Sequence, residues 1–411
     1  MGKQNQFELA IGSGYKIASL FSGCGGLDLG FCGEFKFRKQ SFGKNNSHIV
    51  FSNDFDPDAC SVYNNNINYF GGHPISFGDI RDVPSSSIPE FDILLAGFPC
   101  QPFSNAGHRQ GLEDKKGRGT LFEECERILS FAVHNNSQKP KAFVFENVRG
   151  ITSTKMPNSD VLVTTEICSR MEKLGYTTKF KLLKLSNYGV PQNRYRVFFV
   201  GVLRDEFDDF NFDTLDELVS SHGLPSADYG DDYDLLLGSV LCDIPKGSPQ
   251  VDTHWHYSPT TQGMVDNIGP CLFSPQILNS FKRRKPLDKM LQNIKKGRSW
   301  KNINPDDLPK RFRKIHDDPV KYRAPNFYRR FALGEINGTI TASAQPENCG
   351  ITHPGENRRF SIREVARIQS FPDDFNFETK HPSLGYKVIG NAVPPVFGWI
   401  LAKGLLNHLE K

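Results

Sequence analysis

Residues 16–31, KIASLFSGCGGLDLGF, decide the fold. The apolar KIASLF reads as a strand, Gly23, Gly25 and Gly26 crowd the turn, and LDLGF opens a helix. A glycine turn between strand and helix lets backbone approach a ligand and aims free helix N–H groups at it. The spacing is F-x-G-x-G-G rather than G-x-G-x-x-G, so alone it fits a merely tight turn equally well. The rhythm continues outward. HIVFSND, FDILLAG, KAFVFENV and YRVFFVGV read as further strands. Residues 58–70, 120–133 and 161–174 carry helical spacing between them. Such alternation over residues 16–203 indicates an α/β chain, a doubly wound, mostly parallel, Rossmann-like sheet. Residues 36–47 read as an inserted loop.

Beyond Gly201 the texture changes. Residues 204–234 hold 11 Asp and Glu against one Lys or Arg, and residues 281–330 hold 17 Lys and Arg against 5 acids. The whole chain has a net charge of only +4. A basic block on an otherwise slightly acidic body suggests a polyanionic partner. Phe281, Trp300, Phe312, Tyr322, Phe327 and Tyr328 are interleaved with these charges, which argues against simple solvation. At 411 residues the chain exceeds one compact core. The expected division is a cofactor-binding and catalytic domain over 1–204, a smaller irregular domain over 205–370, and a segment 371–411 returning to the first. Nine scattered cysteines with no Cys-x-x-Cys argue against a disulfide framework and a structural zinc site. The polar N-terminus and the lack of an evident membrane span lead to a cytoplasmic reading.

Asp54 ends the second strand, where a carboxylate accepts hydrogen bonds from a ribose. Asp79, in FGDIRD, is placed for an adenine amino group. Each alone could be a surface acid, but with the glycine turn they point to a nucleoside cofactor. In AGFPCQPFSNAG, residues 96–107, a strand ends and Cys100 stands between Pro99 and Pro102. Ligands in doubly wound sheets bind at the carboxyl ends of the strands, so Cys100 is a candidate nucleophile. Glu146 ends the next strand and is a candidate acid. Arg194 and Arg196 open the strand after that, where alternation would point both the same way. A cap or salt bridge is the plainer reading for any of the three alone.

These blocks, with GDI, RGTLF, YGVPQNRYRVF, FSIREVARIQSFPD and GNAVPP in order, resemble the bacterial cytosine-5 DNA methyltransferases over residues 16–409. The resemblance implies that Cys100 adds to carbon 6 of a flipped-out cytosine. It implies that Glu146 meets the base at N3 and that Arg196, with Arg194 beside it, holds the carbonyl oxygen. It implies S-adenosylmethionine as methyl donor, S-adenosylhomocysteine as product, and no metal. Phe21, Gly23 and Gly25 would hold its methionine part and Asp54 its ribose. Phe55, Asp79 and Ile80 would meet its adenine, with Pro99, Asn391 and Ala392 completing the site. The partner implied is double-stranded DNA, read by residues 235–330 of a monomer, with a restriction endonuclease possible alongside. Asp54 and Phe55 stand where Glu and Trp are common, and Ser370 replaces the usual glycine. A tRNA methyltransferase of this fold has a shorter second domain than the roughly 125 residues between Gly201 and Arg329. An inactive DNA-binding relative would have no use for Cys100, Glu146 and Arg196 together. A zinc deaminase needs Pro-Cys-x-x-Cys, absent here.

Overall fold

The computed structural model describes residues 14–99, 121–157, 159–228, 232–244, 256–283, 297–308, 313 and 327–411. Cys100, Phe312, Tyr322 and most of the basic segment lie outside the described residues. The strands in chain order are β1 (Tyr15–Leu20), β2 (Phe35–Phe37), β3 (Gln40–Phe42), β4 (Ser47–Asp54) and β5 (Ser76–Phe77). There follow β6 (Ile93–Ala96), β7 (Ala142–Val148), β8 (Tyr176–Lys184), β9 (Gln192–Asn193) and β10 (Tyr195–Leu203). Seven of them form one sheet in the order β5-β4-β1-β6-β7-β10-β8. The pairs β5·β4, β4·β1, β1·β6 and β6·β7 are parallel, while β10 runs antiparallel to both β7 and β8.

The central strands read as unbroken apolar runs because helices cover both faces of the sheet. Ile93, Leu94 and Leu95 are fully buried, as are Ala142 to Phe145. The edge strand β8, YTTKFKLLK, mixes polar and apolar residues, so it lacks that run and escapes a reading by apolar content. Residues 36–47 are not a plain loop: β2 and β3 pair antiparallel, Phe35 opposite Phe42, and Arg38 takes the tight turn at φ 55°.

Helices α1 (Gly26–Cys32), α2 (Pro57–Asn65), α3 (Leu121–Asn135) and α4 (Val163–Lys173) complete the crossovers. The C-terminal helix Pro395–Leu409 returns to lie on α1. A Cβ on Gly30 would overlap the Gly398 backbone, so this crossing needs glycine. Pro382–Leu409 is long and apolar enough to cross a membrane, but 89% of that window is buried inside the protein. It is a core element of the returning C-terminal segment.

Past β10, Met264, Ile268, Trp300, Ile303, Leu308, Phe327 and Tyr328 form a small core of their own. Phe281 is buried in the main core. These four interleaved aromatics therefore fill interiors and offer no stacking surface. Arg330, from the same basic block, is buried, donating to Val265 O at 3.1 Å and Asn357 Oδ1 at 2.8 Å. Arg329 pairs with Glu335.

Candidate active site

The turn after β1 is shaped by three distinct glycine requirements. Gly23, at φ 58°, donates its N–H to Asp54 Oδ2 at 2.8 Å, and a Cβ there would meet open space. Gly25 sits at φ 84° with a Cβ position overlapping the Phe70 ring. A Cβ on Gly26 would overlap the carbonyl of Val393, so the C-terminal block 391–393 seats directly against the turn. Phe21 itself adopts φ 55°, a left-handed conformation that costs a non-glycine residue energy and marks a constrained turn.

Asp54 closes the next strand, its Oδ1 accepting from Asp56 N at 2.8 Å. Burial raises its carboxyl above the ordinary range, opposed by those backbone donors. Each carboxylate oxygen has two acceptor sites, so both keep one for a ribose hydroxyl. Phe55 is 62% exposed, and Phe77, which sequence reading missed, is 64% exposed. The parallel pairing of Asp54 with Phe77 sets that second ring beside the acid. Two exposed aromatic faces flanking a buried carboxylate suit a nucleoside. Asp79 is held by Arg81 at 3.0 Å (Nε to Oδ1) and 2.5 Å (Nη2 to Oδ2), which pulls its carboxyl below the usual range. Ile80 is buried beside it.

At the neighbouring strand ends, Glu146 Oε1 lies 2.7 Å from Arg196 Nε, and both side chains are largely shielded from solvent. The antiparallel register puts Arg196 opposite Val148 and Phe198 opposite Glu146, so the ion pair runs diagonally across β7 and β10. Gly97, just past β6, ties this pair to the glycine turn. A Cβ there would stand 3.6 Å from Glu146 Oε2 and 3.8 Å from Phe21 O. Asn147, also missed in the sequence, is buried and donates from Nδ2 to Phe98 O at 3.3 Å, anchoring the chain as it enters Pro99. Pro99 is half-buried. Burial pushes all eight described thiols up, Cys60 to about 12 and Cys168 to about 11, which leaves them poor nucleophiles.

The two arginines do not point together. Arg194 is fully buried and donates to the carbonyls of Ile340 at 2.9 Å, Gly390 at 3.0 Å and Ala392 at 3.2 Å. Alternation fails because Gln192 and Asn193 pair with Asn337 and Gly338 in a separate ribbon, and β10 begins only at Tyr195. Gln192 works in the same hub: its Nε2 is 2.5 Å from Gln369 Oε1, and its Oε1 accepts from Ile340 N at 2.9 Å. Arg194 is thus placed to position Ala392 and the exposed Asn391, not to touch a base.

Beneath the turn lies a buried acid. Asp28 accepts from Ser19 Oγ at 2.7 Å and from Tyr63 OH at 3.2 Å. Burial, with some repulsion from Asp54, pushes its carboxyl up to about 7.

A family model described as C-5 cytosine-specific DNA methylase matches residues 15–407. The Type II methyltransferase M.NgoFVII of Neisseria gonorrhoeae is 32% identical over 399 residues, covering 95% of this chain and 86% of the relative. The Type II methyltransferase M.BanI of Aneurinibacillus aneurinilyticus is 30% identical over 431 residues, 92% of each chain. The S. pombe Dnmt2 methyltransferase shares the fold, with a TM-score of 0.56 at 15% identity over 96% of this chain and 99% of that one. With strand order, glycine turn and Glu146–Arg196 pair all in place, the chain belongs to the C-5 cytosine-specific DNA methylase family, an S-adenosylmethionine-dependent class of DNA methyltransferases.

Proposed function

We propose that this enzyme methylates carbon 5 of one cytosine within a short duplex DNA sequence, as the modifying half of a restriction-modification system. The observation that carries the site is the Glu146–Arg196 pair, joined to the cofactor turn through Gly97. The cofactor's fit is supported by the open space at Gly23, the spare acceptor sites of Asp54 and the exposed ring of Phe55. Phe21, Gly23, Gly25, Asp79, Ile80, Pro99, Asn391 and Ala392 line the remainder. Bound there, S-adenosylmethionine supplies an electrophilic methyl group.

Carbon 5 of cytosine is a weak nucleophile. Cys100, as thiolate, forms an Sγ–carbon 6 bond, which gives carbon 5 enamine character. Glu146 protonates or hydrogen-bonds N3 as charge develops there. Arg196 fixes the orientation of Glu146 and donates to the carbonyl oxygen. After carbon 5 has been methylated, its proton leaves to a base, the Sγ–carbon 6 bond breaks and the ring regains aromaticity. The base reaches the site by leaving the helix, at a cost of a few kcal/mol of stacking and pairing. Residues 235–330 are assigned to sequence reading, within a monomeric, cytoplasmic protein whose partner endonuclease cuts the same site.

Bisulfite sequencing of an unmethylated plasmid of varied sequence tests the whole reading. Wild-type protein with S-adenosylmethionine is expected to mark one short motif. Cys100→Ala is expected to mark none, and Glu146→Gln to slow marking about 10²-fold or more. An unmarked plasmid from protein that binds S-adenosylhomocysteine would remove the DNA assignment. Equal marking by Cys100→Ala would remove the nucleophile.

A further inference from the structure

Outside the Glu146–Arg196 pair, on the same sheet edge, stands a second arrangement the reaction scheme does not use. Arg149 follows β7, three residues past Glu146, and its guanidinium lies 5.3 Å over the ring centroid of Tyr195. Tyr195 precedes Arg196 and is 37% exposed, so its ring reaches solvent. Arg196 Nη1 donates to Tyr195 O at 2.9 Å, so the backbone carrying the ring is fixed to the base-binding arginine itself. Arg149 is exposed, and among the described residues it makes no ion pair with a carboxylate. A guanidinium over a ring is held by its charge, and its N–H donors remain available to a ligand. The ring also restricts the side chain, so less rotamer entropy is lost when the fork binds.

We infer that Arg149, held on Tyr195, grips a phosphodiester of the target strand immediately beside the flipped cytosine. This rests on the proposed DNA substrate and names one contact within it. Among the described residues no carboxylate pairs with Arg149, and the adjacent Glu146 is already paired with Arg196, so an incoming anion meets a cation still open to it. The fork matches phosphate geometry. A phosphate held at that point keeps the backbone in place while the base leaves the stack. Arg149 is therefore a substrate-positioning residue of the reaction.

The test measures affinity of the S-adenosylhomocysteine-bound enzyme for target duplex between 50 and 200 mM salt, with single-turnover methylation alongside. Releasing one phosphate contact lowers the slope of log K against log[salt] by about 0.9. Arg149→Gln and Tyr195→Ala are expected to weaken duplex binding roughly 5- to 10-fold at low salt. Arg149→Gln should flatten the slope by about one contact, its loss appearing in KM more than in kcat. Arg149→Lys, a point charge, should retain the slope, and Tyr195→Phe, which keeps the ring face, should retain both slope and affinity. A steep wild-type slope left unchanged by Arg149→Gln overturns the inference and leaves the DNA assignment standing. A wild-type enzyme whose duplex binding ignores salt overturns both. Cofactor affinity, measured in parallel, shows whether each variant is folded.

Discussion

Asp28 and Arg196 are both partnered side chains, one beneath the glycine turn and the other at the strand ends. Asp28 is almost fully enclosed, so ionising it costs desolvation that its two hydroxyl donors only partly offset. Its carboxyl rises from an ordinary 3.8 to about 7. Between those values the folded state binds more protons than the unfolded state, so stability falls as pH rises from about 4 to about 7. The loss is complete above about 7 and amounts to at most about 4 kcal/mol. Asp28→Asn has no such ionisation. Thermal melts at pH 5 and pH 8 should show the variant gaining on wild type at the higher pH, and parallel profiles would refute this ionisation. Arg196 is paired with Glu146 at 2.7 Å. Its place beside Glu146 was legible from the ordered motifs, since Arg196 lies in a regular strand next to β7. Asp28 was not, because nothing in LDLGF reveals how deeply helix α1 is covered.

At the level of elements, β9 and the helix ending at Asn391 form one mechanical unit. Gln192 and Arg194 connect three separate pieces of chain, those around residues 340, 368–369 and 390–392. Gln369 adds its own bond to Ala392 O at 2.7 Å. Arg194→Met would leave these buried carbonyls short of donors, costing about 3–5 kcal/mol. The block 391–393 packs on Gly26, so cofactor affinity should drop as well. Arg196→Gln gives the contrast: S-adenosylhomocysteine binding near wild type with kcat down about 10²-fold. Urea melts and cofactor titrations of the two variants decide it. If Arg194→Met lost activity while keeping stability and cofactor affinity, Arg194 would belong with the base contacts after all.

Across the whole molecule, the hairpin β2–β3 is the brace between the sheet and the chain beyond it. Arg38, at the hairpin turn, donates to Asp234 O at 2.8 Å, Ser239 O at 2.9 Å and Ser239 Oγ at 3.0 Å. Gln40 donates to His222 O at 3.1 Å. Arg367 makes a second tie, to Val240 O at 3.0 Å and to the carboxylates of Asp243 and Asp373. Arg38→Ala should lower stability by about 2 kcal/mol. It should also raise KM for duplex DNA while leaving cofactor affinity unchanged, because the glycine turn precedes α1 and the hairpin follows it, at opposite ends of that helix. Unchanged KM in steady-state methylation would show that the hairpin supports stability alone.

The sequence by itself determined the alternating fold, the order of strand ends and the acids and glycines at them, because short-range periodicity and turn chemistry are local properties. It also placed Glu146 and Arg196 within one site through contiguous motifs. Tertiary structure alone decided which of two neighbouring arginines faces that site, since β9 and β10 change partners between Asn193 and Tyr195. It alone turned Phe281, Trp300, Phe327 and Tyr328 from a candidate binding surface into interior, and Arg330 from a free cation into a buried brace. Burial is set by segments far apart in the chain: Asn337 meets Gln192, and Val393 meets Gly26. No local pattern encodes those meetings, so exposure and side-chain direction followed only from the packed whole.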